Sequence, residues 1–310
     1  MALEIPLILL LILNGALVGI SMSFVGQTGQ GVVVPLILLI SGDVLLAIVV
    51  NLLNDFIAAI SVGFSYVRKR QFYFSKNILI LLGISLIFSF LGVLILMVTP
   101  LSTIFGWVLP IFIIFLGITI ISKGFPTSES LKETVSNISA KLFRRKREDV
   151  NAEDVEIYSE KSTLNEEIID IHIKSIIKPY SKLFFILTSV LGIIVGLNSG
   201  LFGANSGFII TLVLIILFGY PLKKSIGTAL LLSLIMSIST FIFYQILAFN
   251  IQGKLYFNWE YILYLGIGSF ISGLTSSTFV QKLSARAMGR GMGITMIILG
   301  ISSLIFYLIS

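Results

Sequence analysis

The chain has 310 residues, of which 56% are hydrophobic and only 12% are charged, with a formal net charge of +6. Soluble domains carry about 25% charged residues, so this composition excludes a cytosolic enzyme, a disordered scaffold and a secreted disulfide module. The absence of cysteine and the single histidine, His172, exclude thiolate chemistry and any histidine-based metal cluster. We therefore interpret the chain as an integral membrane protein and expect neither a metal nor a cofactor.

Apolar runs follow one another along the chain, and most have the roughly 20 residues that a membrane-spanning helix needs. They cover residues 5–25, 32–41, 44–67, 77–98, 102–122, 183–202, 208–219, 225–249, 260–280 and 291–309. Two of them, 32–41 and 208–219, are too short to span, and each follows a glycine-rich polar break. The first run lacks the basic residues that open a signal peptide, so we expect it to be retained. The pattern predicts an all-α, polytopic protein of the cell membrane.

Charged residues concentrate in one segment, which predicts three parts. Residues 1–122 form a first transmembrane repeat, 123–181 a charged cytoplasmic linker, and 182–310 a second transmembrane repeat. The basic run at 141–147 would suit nucleic acid or lipid headgroups, and we favour membrane lipid. The remaining basic residues flank apolar runs, so we expect no nucleic-acid partner. A homo-oligomer, or a regulator bound at the linker, is a further possibility.

The two transmembrane parts match each other, which predicts homologous repeats. The matching pairs, at one constant spacing, are Gly15 with Gly192, Gly19 with Gly196, Ser23 with Gly200, and Gly26 with Gly203. Loop charges predict that the repeats are inverted. The loop at 68–76 is basic in the first half, whereas the loop at 281–290 is basic in the second. Basic loops face the cytoplasm, so equivalent loops would face opposite sides. Each repeat would combine a glycine-rich broken helix or hairpin with three spanning helices. The alternative is a parallel eight-helix repeat.

The polar breaks are the candidate substrate site. Irregular backbone at membrane depth is tolerated only where it is buried in protein or lines a cavity. A helix that begins there points free N–H groups and its positive dipole end at the break, so an anion can bind without a basic side chain. Close packing by small residues is the alternative, and we expect it for the helix glycines. The candidate substrate-binding residues are Gly26, Gln27, Thr28, Gly29, Gln30, Gly31, Asn51, Gly203, Ala204, Asn205, Ser206, Gly207 and Thr228.

Asp55 is the one acid deep inside an apolar run. A charged carboxylate costs roughly 3 kcal/mol or more there, so it usually has a function or a partner. With Asn54 it is the candidate for proton coupling. The alternative is an aspartic acid that is hydrogen-bonded to Asn51, to Asn54 or to the backbone of a broken helix. The corresponding region of the second half, Gly227-Thr228, is uncharged, so any proton role would be asymmetric.

The sequence resembles the TauE/SafE family of sulfite-exporter-like permeases, also called toluene-sulfonate uptake permeases. The first copy of the pattern is GALVGISMSFVGQTGQGVVVP (15–35) followed by VVNLLND (49–55). The second is GIIVGLNSGLFGANSGF (192–208) followed by KKSIGTALL (223–231). The resemblance implies transport of small sulfur-containing anions such as sulfite or organosulfonates.

We therefore expect a secondary transporter that moves such an anion across the cytoplasmic membrane by alternating access at a midplane site. Composition and spacing alone predict only a carrier of a small polar or anionic solute. One alternative is a carrier of another organic anion, such as a carboxylate. Another is a membrane receptor or scaffold that acts through the linker at 123–181. An intramembrane enzyme is disfavoured, because the apolar runs hold no pair of nucleophile and base.

Overall fold

The computed structural model describes residues 4–26, 29–73, 75–99, 182–203, 207–216, 218 and 220–284, with isolated positions between 111 and 122 and between 287 and 305. These residues are helical or lie in short connections, and no strand occurs among them. The predicted linker at 123–181 lies outside the described residues. The predicted runs at 102–122 and 291–309 are described only at isolated positions.

Continuous helices account for most of the described residues. They are α1 (Ile5–Val25), α2 (Gln30–Ser41), α3 (Val44–Arg68), α4 (Lys76–Val98), α5 (Lys182–Phe202), α6 (Gly207–Ile216), α7 (Leu222–Gln252) and α8 (Trp259–Val280). Six of them, all except α2 and α6, are long and apolar enough to cross a membrane. The all-α, polytopic membrane fold predicted from the sequence is confirmed.

Local sequence sets the ends of these helices. Asp43 caps α3, because its Oδ1 atom accepts hydrogen bonds from the backbone N atoms of Leu45 at 3.0 Å and Leu46 at 3.1 Å. Asn258 caps α8 in the same way by accepting from the backbone N of Tyr261 at 3.1 Å. Side-chain caps therefore fix the points where α3 and α8 begin.

The first helix of each half packs against the last continuous helix of the other half. In the α1–α8 seam, a Cβ atom on Gly15 would collide with the backbone of Leu265. In the α4–α5 seam, a Cβ atom on Gly200 would collide with the carbonyl oxygen of Ser89. Close backbone approach through small residues is typical of membrane helices. The helix glycines therefore have the packing role that the sequence predicted for them.

Contacts between neighbouring helices fix the directions of the six long helices. Residue numbers rise together along α1, α3 and α8, so these helices run parallel. The contacting pairs are Gly15 with Leu265, Ser23 with Ser276, Gly266 with Ile57, and Ser277 with Ser65. By the same criterion α4, α5 and α7 run parallel to one another. Their contacting pairs are Gly192 with Ile84, Gly200 with Ser89, Tyr73 with Thr228, and Ser89 with Thr240.

The two sets of helices run in opposite directions. Gly227 at the start of α7 packs against Tyr66 near the end of α3. At the other end, Lys254 follows α7 and its Nζ atom lies 3.8 Å from Oδ2 of Asp43, which precedes α3. Each long helix of the first half is thus antiparallel to the long helix at the same place in the second half. These directions support the predicted inverted topology, while the homology of the repeats stays a prediction.

The Gly200→Ala substitution should destabilise the protein through the α4–α5 seam. The added methyl group would force the backbones of α5 and α4 apart, and overpacking of this kind costs roughly 1–3 kcal/mol. We expect a lower melting temperature in detergent. Gly63→Ala in α3 is the control, since no atom lies within 4 Å of its added Cβ. Equal melting temperatures for the two variants would contradict the close seam.

Candidate functional site

The two breaks predicted from the sequence lie against each other. Gly26 follows α1 with a φ of 65°, and Gly203 follows α5 with a φ of 63°. Glycine adopts this left-handed conformation without a steric penalty, so each helix ends at its break. The Gly26 carbonyl oxygen packs so closely against Gly207 that a Cβ atom there would overlap it. The first break therefore contacts the start of α6 in the second half.

The second break contacts α3 in return. The Nδ2 atom of Asn51 donates a hydrogen bond to the carbonyl oxygen of Gly203 at 3.0 Å. The side chain of Ile48, one turn earlier in α3, packs against the same glycine. Each break thus contacts residues of the opposite half, which is the arrangement expected when two interrupted helices face each other.

Asp55 joins the first break to α3. Its Oδ1 atom accepts a hydrogen bond from the backbone N of Gly29 at 2.8 Å, and its Oδ2 atom accepts from Nδ2 of Asn51 at 3.2 Å. Both Asn51 and Asp55 are fully buried. An unbroken chain of hydrogen bonds therefore runs from Gly29 through Asp55 and Asn51 to Gly203. The N–H of Gly29, which the sequence predicted as a donor to an anion, is engaged by Asp55.

Asn54 has a different environment from Asp55. It is fully buried, and neither atom of its side-chain amide has a hydrogen-bond partner among the described residues. The Oδ1 atom of Asn51 is likewise without such a partner. Unpaired buried polar groups cost about 1–3 kcal/mol each and are uncommon in native proteins. The Asn51 Oδ1 atom, which lies beside Gly29, is therefore a candidate for binding water or a solute between the breaks, and the Asn54 amide is a candidate for binding water within the protein.

The family match covers this whole arrangement. The family model for the sulfite exporter TauE/SafE matches residues 11–303, which include both breaks and most of every described helix. The chain belongs to the TauE/SafE family. It is accordingly a multi-pass membrane transporter of the sulfite exporter family, as the resemblance of the two glycine-rich copies implied. No curated protein and no solved structure matches the chain.

Thr228 of this TauE/SafE transporter anchors a loop. Its Oγ1 atom accepts a hydrogen bond from the backbone N of Tyr73 at 2.9 Å and lies 2.8 Å from the carbonyl oxygen of Lys224. Gly227 beside it packs under the backbone of Gln71. The connection between α3 and α4 is therefore attached to the start of α7. A part for Thr228 in substrate binding stays a prediction.

The Thr228→Val substitution should release this loop. Valine has a similar shape but no hydroxyl group, so the amide of Tyr73 loses its acceptor, at a cost of about 1 kcal/mol. We expect hydrogen exchange at Tyr73 to become several-fold faster, as read by mass spectrometry. Thr275→Val in α8 is the control, because that exposed hydroxyl bonds only within its own helix. Unchanged exchange at Tyr73 would contradict the anchoring role.

Other predicted residues of the TauE/SafE site fall into two groups. Gln30 and Gly31 form the first turn of α2, where the Gly29 carbonyl oxygen accepts from the backbone N of Val32 and Val33. The remaining predicted residues lie outside the described residues and stay predictions: Gln27, Thr28, Ala204, Asn205 and Ser206.

Ser233 was missed by the sequence interpretation. Its fully buried Oγ atom lies 3.0 Å from the position that a Cβ atom on Gly207 would take, and it has no hydrogen-bond partner among the described residues. Gly29 and Asp55 are 26 positions apart, and so are Gly207 and Ser233. Ser233 also lies 11 residues after the start of α7, as Asp55 does after the start of α3, so Ser233, and not the predicted Gly227-Thr228, corresponds in position to Asp55. The spacing between equivalent residues is 177 from Gly26 to Gly203 and 178 from the start of α3 to the start of α7, and using the second spacing would have found it.

Proposed function

We propose that this TauE/SafE transporter carries small sulfur-containing anions, such as sulfite or organosulfonates, across the cytoplasmic membrane by alternating access at the paired breaks. The observation that carries the proposal is the pair of hydrogen bonds made by Asn51. One bond reaches Gly203 in the second half, and the other reaches Asp55, which engages Gly29 in the first. A single buried side chain therefore links both interrupted helices.

The electrostatics around the breaks favour a small anion. Two short helices, α2 and α6, begin at the breaks, and each contributes roughly +0.5 of a charge at its N-terminus. No lysine or arginine is among the buried described residues. A bound anion would thus be neutralised by helix dipoles and by amide and hydroxyl donors, which suits an oxyanion of low charge.

The arrangement of the halves supports alternating access. The two halves pack through the α1–α8 and α4–α5 seams and meet at the Asn51–Gly203 bond. Movement of the set α1, α3 and α8 against the set α4, α5 and α7 would break and reform that bond without opening either seam, while the left-handed glycines at the breaks supply backbone freedom. Asp55 belongs to the same chain of hydrogen bonds, so its protonation is the proposed point of coupling.

Flux into liposomes that contain the purified full chain tests the proposal. We expect uptake of ³⁵S-labelled sulfite well above that of protein-free liposomes, with inhibition by methanesulfonate and toluenesulfonate. Acetate at the same concentration should inhibit much less. Absence of sulfite uptake would contradict the proposed function.

A carrier of organic carboxylates is the second candidate. It is favoured by one observation, that the Asp55 carboxylate itself accepts the N–H of Gly29 at the first break. The competition experiment separates the two candidates, because a carboxylate carrier would be inhibited more strongly by acetate than by methanesulfonate.

A further inference from the structure

We infer that the substrate oxyanion binds at the first turn of α6 beside Ser233, and that the carboxylate of Asp55 fills the equivalent place in the other half. This inference rests on the proposed function and assigns one position of the substrate within it.

The first observation is a buried hydroxyl group at the start of a helix. Gly207 begins α6, whose first N–H groups have no acceptor within the helix and whose dipole is positive there. The Ser233 Oγ atom faces this turn, is completely buried, and is without a partner among the described residues. A hydroxyl group in that setting is expected to have a partner, and a bound oxyanion would accept a hydrogen bond from it.

The second observation comes from the first half of the same chain. There the equivalent position holds Asp55, and its carboxylate accepts the N–H of Gly29 at 2.8 Å. The same place between a long helix and a break therefore already holds a carboxyl group, supplied by the protein. In the second half the side chain is shorter and uncharged, so the acceptor at the matching place is left for a bound oxyanion to supply.

The surroundings favour a monoanion over a dianion. The Gly26 carbonyl oxygen also packs against Gly207, and it would repel a second negative charge but accept a hydrogen bond from an S–OH group. No buried lysine or arginine among the described residues offsets a larger charge. Hydrogen sulfite fits both conditions, and monoanionic sulfonates fit the condition of a single charge.

Ser233 variants of the full chain test the inference. Binding of methanesulfonate is measured by titration calorimetry, and sulfite flux is measured in liposomes. Ser233→Ala should weaken binding roughly tenfold to a hundredfold, because it removes one hydrogen bond to a charged group. Ser233→Thr should keep binding within a few-fold. Ser233→Asp should abolish it, since the new carboxylate occupies the site. Ser237→Ala is the matched control, because that buried hydroxyl already donates to the Ser233 carbonyl oxygen at 2.8 Å.

The outcomes separate this inference from the proposed function. If the unmodified protein binds methanesulfonate and transports sulfite, and Ser233→Ala does so equally well, the inference is wrong and the proposed function stands. If the unmodified protein does neither, both are wrong. Should Ser233→Asp fail to elute as a folded protein, the contrast between Ser233→Ala and Ser233→Thr decides the question.

Discussion

Replacing Asn51 with leucine is expected to reduce sulfite flux about a hundredfold and to lower the melting temperature by several degrees. Leucine has a similar volume but no donor, so the Gly203 carbonyl oxygen and the Asp55 Oδ2 atom both lose a buried hydrogen bond. Leaving buried acceptors unpaired costs about 3 kcal/mol in total, which corresponds to roughly a hundredfold change in a population. Liposome flux and thermal unfolding in detergent measure the two effects.

Asn54→Leu is the matched control for stability. It makes the same chemical change one turn away in α3, but the Asn54 amide has no hydrogen-bond partner among the described residues. Its melting temperature should be unchanged or higher, because replacing an unpaired buried amide by an apolar side chain removes a desolvation cost. Equal melting temperatures for Asn51→Leu and Asn54→Leu would show that the link between the breaks contributes little.

Replacing Asp55 with asparagine is expected to abolish the response of sulfite flux to an imposed pH gradient and to lower the rate at least tenfold. Asparagine can still accept the N–H of Gly29 through its oxygen, but it carries no exchangeable acidic proton. Its amide nitrogen would also face the Asn51 Nδ2 atom, and two donors cannot bond each other. Flux is measured with the gradient set in either direction and with no gradient.

Asp43→Asn is the control for the Asp55 experiment. Asp43 caps α3 at its partly exposed end, so its replacement removes a carboxylate without touching the breaks. We expect it to leave the pH response intact and to cost at most about 1 kcal/mol of stability. If Asp55→Asn keeps the pH response of the unmodified protein, Asp55 has no part in proton coupling.

The helices were predictable because the bilayer imposes their length. The apolar run predicted at 44–67 corresponds to the helix Val44–Arg68, and the run predicted at 77–98 corresponds to the helix Lys76–Val98. The glycine-rich breaks likewise marked the points where α1 and α5 stop. Such features depend on local composition, so a single sequence is enough to locate them.

The partners across the molecule were not predictable in the same way. Small residues along α1 indicated a tight interface, but nothing local showed that the partner is α8, near the other end of the chain. For Asp55 the sequence left open which groups are its hydrogen-bond partners. In the folded protein the partners are the backbone N–H of Gly29 and the side-chain amide of Asn51. The sequence did not indicate Ser233, because the spacing between equivalent residues changes from 177 at the breaks to 178 between α3 and α7.

The packing of the first helix of each half against the last continuous helix of the other half has a consequence for how the protein is made. During synthesis α1 leaves the ribosome long before α8, so its glycine surface has no partner while most of the chain is still being translated. The membrane insertion machinery or surrounding lipid has to shield it until then. Neither half can complete the α1–α8 and α4–α5 seams when it is produced alone, whereas two fragments divided between residues 123 and 181 and expressed in the same cell together contain the helices of both seams.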